Sequence, residues 1–213
     1  MQKIELLMNE YFRHKNIDYS WSFSDKTIKD TSYITHGYYT YPAKFIPQLA
    51  ERLIKENSAE GDIVIDPFMG SGTTVVEAIV NNRVGIGTDI NEIANLLAKV
   101  KTTPIDNTIL AEEFYKIEND LIKRLNGQFE QALKNALLKV PDNERIDYWF
   151  LPEQKEKLAI ILARVLEIEN QDIQNFFLVT FAQILKSSSI WLQKSVIPTR
   201  DLNKKIFTSS VNK

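Results

Sequence analysis

The chain has 213 residues, 44% of them apolar and 25% charged, with a formal net charge of −2. That suffices for one sizeable core, or for one domain with a helical appendage, in an ordinary globular composition. The slight negative charge gives no electrostatic case for tight nucleic-acid binding by this chain alone. The absence of cysteine excludes disulfides and thiolate metal sites, and the two histidines, His14 and His36, are too few and too isolated for a metal constellation. Met1-Gln2-Lys3-Ile4-Glu5 carries charge where a signal peptide would be apolar. No apolar stretch approaches the roughly 18 residues of a membrane span, so the expectation is a cytoplasmic protein with no membrane contact.

Residues 1–32 read as an N-terminal arm. Ile4, Leu7, Met8 and Tyr11 fall at near-helical spacing, and Asn16 to Thr31 is polar and turn-rich with Trp21 and Phe23 as anchors. In residues 33–58, Tyr38, Tyr39 and Tyr41 stand just before Pro42, and Pro47 fits the first turn of a helix through Leu49, Leu53 and Ile54. Taken alone, this is a Pro-initiated core helix with ordinary aromatic packing.

The informative stretch is residues 62–74. Ile63 to Ile65 is short, β-branched and bounded by turn residues, which predicts a buried strand, and Val75 to Val80 resumes with helical character. Between them Gly70 and Gly72 permit positive φ and close approach of a ligand, and Thr73 or Thr74 is a candidate cap for the helix that follows. No lysine occurs between Asp66 and Asn82, so this is not a P-loop, and the third glycine of the dinucleotide fingerprint is also missing. Instead Asp66 stands at the strand's end, where a carboxylate repels a polyphosphate and suits an ammonium group. The plain alternative for Asp66 is a turn-former before Pro67.

Val84 to Asn91 reads as the next parallel strand, ending in Asp89, about 20 residues beyond the loop, where an acid takes both ribose hydroxyls. The alternative for Asp89 is a cap for the helix Asn91–Val100, whose Ile93, Leu96, Leu97 and Val100 are expected on one apolar face. The two acids together imply an unphosphorylated adenosine with a charged amino-acid tail, with Ile90 beside the adenine.

Leu110, Phe114, Ile117, Leu121 and Leu125, then Phe129, Leu133 and Leu137, predict helices over 106–140 interrupted by Gly127, with a solvated polar face. In 141–195, Pro152 starts a helix through Leu158, Ile161, Leu162 and Val165, and Asp172 is the expected cap of another through Phe176, Phe177, Phe181, Ile184 and Leu185. That helix is apolar around much of its girth and must be buried on two sides. Residues 196–213 form a polar tail with Arg200, Lys204, Lys205 and Lys213, suited to phosphates or to a linker.

Asp66-Pro67-Phe68-Met69-Gly70-Ser71-Gly72-Thr73-Thr74 resembles the cofactor loop of the DNA amino-methyltransferases, which methylate cytosine N4 or adenine N6 with S-adenosylmethionine. His36 to Pro47 resembles the segment that precedes this loop in the family and closes over the methionine end of the cofactor, and Ser187 to Leu192 also resembles a family segment. The resemblance implies a partial Rossmann-like methyltransferase fold of class α/β, parallel strands with flanking helices, over 33–105, followed by a largely α-helical region over 106–195. It implies cofactor contacts from Tyr41, Pro42, Lys44, Asp66, Pro67, Phe68, Gly70, Ser71, Gly72, Thr73, Thr74, Asp89 and Ile90. No metal is implied.

No Pro-Pro pair occurs in the sequence, so the family's Pro-Pro-Tyr catalytic motif is absent and no catalytic residue is assigned. The chain thus resembles the N-terminal, cofactor-binding half of a DNA methyltransferase of a restriction-modification system, with cytosine N4 favoured over adenine N6. A second polypeptide or a missing C-terminal half would carry the motif and target recognition. The alternatives are an RNA or small-molecule methyltransferase and a non-catalytic cofactor-binding or structural subunit.

Overall fold

The computed structural model describes residues 18–195 and 197–201. The helix expected around Ile4 to Tyr11 and the tail lysines Lys204, Lys205 and Lys213 lie outside them. The structure is mixed α/β, mostly helical, with one small parallel sheet.

The described part of the arm opens on a 3-10 turn, Tyr19–Trp21. It is pinned by Arg52, whose guanidinium lies 3.8 Å from the Trp21 ring centroid and donates to the carbonyl and hydroxyl of Ser20. Arg52 sits on helix α1, Pro47–Asn57, with Pro47 in the first turn, where its missing N–H has no intrahelical role.

Strands β1, Ile63–Asp66, and β2, Val84–Gly87, pair in parallel through the crossover helix α2, Thr73–Val80, with Ile63 opposite Val84 and Asp66 opposite Gly87. The Val-Gly-Ile-Gly alternation of β2 turns its glycines toward α2. A Cβ on Gly85 would stand 2.8 Å from the Val75 carbonyl oxygen, and one on Gly87 would meet Val75 Cγ2 at 2.7 Å and collide with Met69 Sδ. The opposite face is open: Ile63, Ile65, Val84 and Ile86 are 61%, 65%, 52% and 43% exposed. The expectation of a buried strand is therefore corrected. β1 is covered by α2 on one face, and among the described residues nothing crosses the other.

Helix α3, Glu92–Thr102, is capped by the Asn91 side chain, which accepts from the Ile93 N–H. Its buried stripe is Ala94, Leu97, Ala98, Val100 and Lys101, whereas Ile93, expected inside, is 45% exposed. Small residues are needed on that stripe because α3 passes over the backbone of the glycine bend: a Cβ on Gly72 would lie 2.7 Å from the Ala98 Cβ.

The remaining helices are α4, Asn107–Asn126, α5, Phe129–Leu137, α6, Glu144–Trp149, α7, Pro152–Leu166, and α8, Gln171–Ser188. Gly127 ends α4, and Pro152 starts α7, as the sequence predicts. The cap of α8 is Asn170, whose side chain accepts from the N–H groups of Asp172 and Ile173, so Asp172 is a first-turn residue instead. Part of the polar face of α4 is an ion-pair latch: Arg164 reaches Glu113 at 3.2 Å and Asp120 at 3.0 Å, and Arg124 grips both oxygens of Glu167. α8 is buried on two sides, as its girth requires: Phe177 packs with Ile117, Val165 and Ile168, and Val179 packs with Leu97 and Val100 of α3.

Candidate functional site

The bend after β1 is built from backbone. Asp66 Oδ1 accepts from the Phe68 N–H at 3.0 Å, closing a turn over Pro67. Thr88 N–H donates to the Asp66 carbonyl at 3.0 Å and Met69 N–H to the Thr88 carbonyl at 3.1 Å, so the ladder runs past both strand ends. Gly70 and Gly72 hold φ of +50° and +77°, in the left-handed region that glycine alone enters without cost. Gly72 itself is the N-cap of α2, with no side-chain cap. The expectation that Thr73 or Thr74 caps is corrected, because both are already helical. First-turn N–H groups of α2 thus keep free of a side-chain acceptor beside the bend.

Asp89 joins this bend instead of capping α3. Its Oδ2 accepts from the Gly70 N–H at 2.9 Å and its Oδ1 from the Asn91 N–H at 2.8 Å. Asp66 closes β1 opposite Gly87, and Asp89 follows Gly87 along the chain, so the acids lie at the C-terminal ends of neighbouring parallel strands. Beside them Phe68 is 88% exposed and Ile90 wholly exposed, two apolar side chains without cover.

The aromatic segment meets the bend from the other side. The Tyr41 ring lies over Gly70, where an added Cβ would stand 3.4 Å from Tyr41 Cε1. Pro42 is exposed. Lys44 Nζ donates to the His36 carbonyl at 2.7 Å and Lys101 Nζ to the Ser71 carbonyl at 2.8 Å. Burial, with the charge of Lys44 added, lowers the pKa of Lys101 to about 8, and burial lowers that of Lys44 as well. Among the described residues neither lysine has a carboxylate partner, and the buried Ser71 hydroxyl has no partner at all.

The sequence does not mark the pairing of His36 with Glu77 and Tyr33. His36 Nε2 lies 2.7 Å from Glu77 Oε1, both side chains are 1% exposed, and the Tyr33 hydroxyl donates to the same oxygen at 2.6 Å. Burial and the Glu77 bond push the Tyr33 hydroxyl's pKa up. This trio fastens the aromatic segment to α2. The available signal was Glu77 itself, a lone carboxylate within Val75-Val76-Glu77-Ala78-Ile79-Val80 on a helix that must be buried, since a buried carboxylate requires partners.

Acids and uncompensated ammonium groups thus converge on one glycine bend, a charge pattern complementary to a zwitterion rather than to a phosphate chain. The orphaned Ser71 hydroxyl and the uncovered Ile90 and Phe68 fit a ligand with polar and planar apolar parts, as S-adenosylmethionine has. A concavity of about 790 Å³ lined by Phe23, Lys29, Tyr33 and Arg52 shares no residue with the bend. Among the described residues no group of three His, Asp or Glu side chains is placed to hold a metal, and no helix is long and apolar enough to cross a membrane.

A family model described as DNA methylase matches residues 3–99. The chain is 34% identical over 163 residues to the type II methyltransferase M.MvaI of Kocuria varians, an alignment covering 75% of this chain and 36% of that protein. It is 33% identical over 146 residues to the type II methyltransferase M.MjaII of Methanocaldococcus jannaschii, covering 67% of this chain and 27% of that protein. The orphan methyltransferase M.BamHII of Bacillus amyloliquefaciens is 56% identical over 54 residues, 25% of this chain and 20% of that protein. The chain therefore spans about a third of the length of the first two relatives. No solved structure matches it. By its glycine bend, its paired acids and these matches, the chain belongs to the DNA amino-methyltransferase family.

Proposed function

We propose that this chain is the S-adenosylmethionine-binding part of a DNA methyltransferase that modifies an exocyclic amino group of a base, acts in the cytoplasm and serves a restriction-modification system. The observation that carries the reading is the pair of acids at adjacent parallel strand ends, Asp66 closing the turn through the Phe68 N–H and Asp89 accepting from the Gly70 N–H, around a bend that contains no lysine. Ligands of open parallel sheets bind at this edge.

In this reading Asp66 faces the ammonium group, with Oδ2 free of other partners among the described residues. The backbone of Pro67, Gly70, Ser71 and Gly72 and the first turn at Thr73 and Thr74 pass the amino-acid chain. Asp89 takes the ribose hydroxyls with the lone pairs left by Gly70 and Asn91, and Ile90 and Phe68 flank the adenine. Tyr41, Pro42 and Lys44 close over the carboxylate end, where Lys101 adds a second positive charge. When bound, S-adenosylmethionine supplies an electrophilic methyl group on a sulfonium. The protein's share is alignment, because the rate of such a transfer depends on holding the reacting atoms at near-attack distance. A target nitrogen inside a duplex must first be extruded with its base.

The same reading makes the chain one part of a larger Rossmann-like sheet, with the Pro-Pro-Tyr motif and target recognition supplied by a second polypeptide or further chain. Parallel sheets are normally covered on both faces, and two strands are too few for independent stability. Here four aliphatic side chains on one face, Ile63, Ile65, Val84 and Ile86, stand open.

Calorimetry with S-adenosylhomocysteine, the demethylated product, tests the cofactor reading on the full chain. Saturable binding at one site is expected. A folded chain that shows no heat of binding with this ligand would remove the proposal.

A further inference from the structure

We propose that helix α8 of the helical region is a positioning element for the cofactor segment, acting through Tyr38, Thr180 and Gln183. This rests on the cofactor reading above and adds what sets the affinity of that site. The Tyr38 hydroxyl donates to the Phe176 carbonyl at 2.8 Å and lies 2.8 Å from the Thr180 hydroxyl, while its ring stacks on Phe176 with centroids 5.0 Å apart and planes 21° from parallel. One helical turn further, the Gln183 amide makes a two-bond clip: its Oε1 accepts from the Thr40 N–H at 3.2 Å and its Nε2 donates to the Thr40 hydroxyl at 3.3 Å. Phe176, Thr180 and Gln183 share one helix face by their spacing of four and three.

The segment does not hold itself. Ile34 and Ala43, on either side of it, have φ of +51° and +56°, a strained region for residues with a Cβ, which persists only where the surroundings impose it. Its internal backbone bonds are Tyr38 N–H to Thr35 and Tyr41 N–H to Tyr39, and the Thr40 N–H is satisfied by Gln183. At its near end the buried His36–Glu77 pair fixes it to α2, and at its far end Tyr41 lies over Gly70. Between these points α8 supplies the support. Thr180 and Gln183 are exposed, so they add little to the core; the Gln183 amide is spent on the segment, and the Thr180 hydroxyl is shared between Tyr38 and the Phe176 carbonyl of its own helix. Because α8 also packs through Phe177 into the core of the helical region, a ligand that shifts α8 and one that fills the bend must affect each other's affinity equally.

The test compares wild type with Tyr38→Phe, Gln183→Ala and Gln183→Glu, on the full chain. It reads S-adenosylhomocysteine affinity by calorimetry and hydrogen exchange of the amides of residues 38–41. One net hydrogen bond is worth about a three- to tenfold change in affinity, so a loss of at least that size is expected for Tyr38→Phe and for Gln183→Ala, which removes two bonds. Faster exchange at Thr40 should accompany it, at nearly unchanged melting temperature for the exposed Gln183. Gln183→Glu keeps the oxygen that accepts from Thr40 and should recover the exchange protection. Affinity and exchange equal to wild type in Gln183→Ala would overturn the proposal alone. No binding by the wild-type chain would remove the cofactor reading and the proposal with it. Should Tyr38→Phe fail to fold, the exposed Gln183 pair decides.

Discussion

Lys101 carries a buried charge with no counter-ion, and its titration gives a quantitative test of the site. The side chain is 5% exposed, its ammonium donates to the Ser71 carbonyl at 2.8 Å, and burial together with Lys44 brings its pKa from 10.5 down to about 8. In the unfolded chain it titrates near its ordinary value, so between about pH 8 and 10.5 the unfolded state holds more protons than the folded one. The Lys101 contribution to stability therefore rises with pH across that window, and below pH 8 the folded state bears the full cost of the buried proton. At about 1.4 kcal/mol per tenfold change in proton affinity, that cost is on the order of 3 kcal/mol, of which about 2 is recovered between pH 7 and 9.5. Urea unfolding of wild type and Lys101→Met across that range isolates the contribution, because tyrosines and other lysines titrate in both. The wild-type curve should gain about 2 kcal/mol on the variant. A difference between the two proteins that does not change with pH would refute the reasoning. If the ligand's carboxylate meets this ammonium, S-adenosylhomocysteine affinity in the wild type should also fall as pH rises through 8, and Lys101→Met should lose that component.

Gly72→Ala places a Cβ at φ +77° and 2.7 Å from the Ala98 Cβ. The left-handed conformation costs about 1–2 kcal/mol and overpacking a further 1–3, so urea unfolding should show a loss of about 2–5 kcal/mol. Glu77→Ala leaves the buried His36 and the half-buried Tyr33 without their shared acceptor, for a loss of about 2–5 kcal/mol in the same assay. Glu77→Gln, which keeps the accepting oxygen, should cost clearly less, and equal losses would show that the acceptor is not what matters.

The strand, the glycine bend, the second strand and the acids are legible in the sequence because each is dictated by a few consecutive residues. The same locality explains the proline and glycine that start α7 and end α4. The errors are also physical. Asp172 was expected where Asn170 caps because the two residue types cap about equally well and stand a few positions apart. Ile93 is expected inside because hydrophobicity favours isoleucine over alanine, yet α3 passes over the bare backbone of Gly72, where Ala98 is small enough to lie against it. The clip between Thr40 and Gln183 spans 143 positions, and nothing local marks either partner. Composition likewise marks Ile63 and Ile65 as residues for an interior but does not say whether this chain supplies the cover.

These two kinds of determinant divide the labour of the site. The bend is held by its own backbone, through Thr88 to Asp66, Met69 to Thr88 and Gly72 to Met69, and by the Asp89 carboxylate on the Gly70 N–H, so it is formed before any ligand arrives. The aromatic segment is held by side chains from α2 and α8 and by packing of its tyrosines on Leu97 and Val100 of α3, so its order depends on contacts that can be removed without touching the bend. Substitutions in the bend should therefore lower stability and affinity together, whereas substitutions in the clip should lower affinity alone. Asp66→Asn keeps the oxygen that closes the turn through Phe68 but removes the charge facing the ammonium, and Gln183→Ala loosens the segment. If bend and segment are independent, the affinity losses of the two add to within about 0.5 kcal/mol in calorimetry of the double variant. A double loss much smaller than the sum would mean that the ligand's ammonium is engaged only when the segment is closed, making α8 part of the recognition of the charge itself.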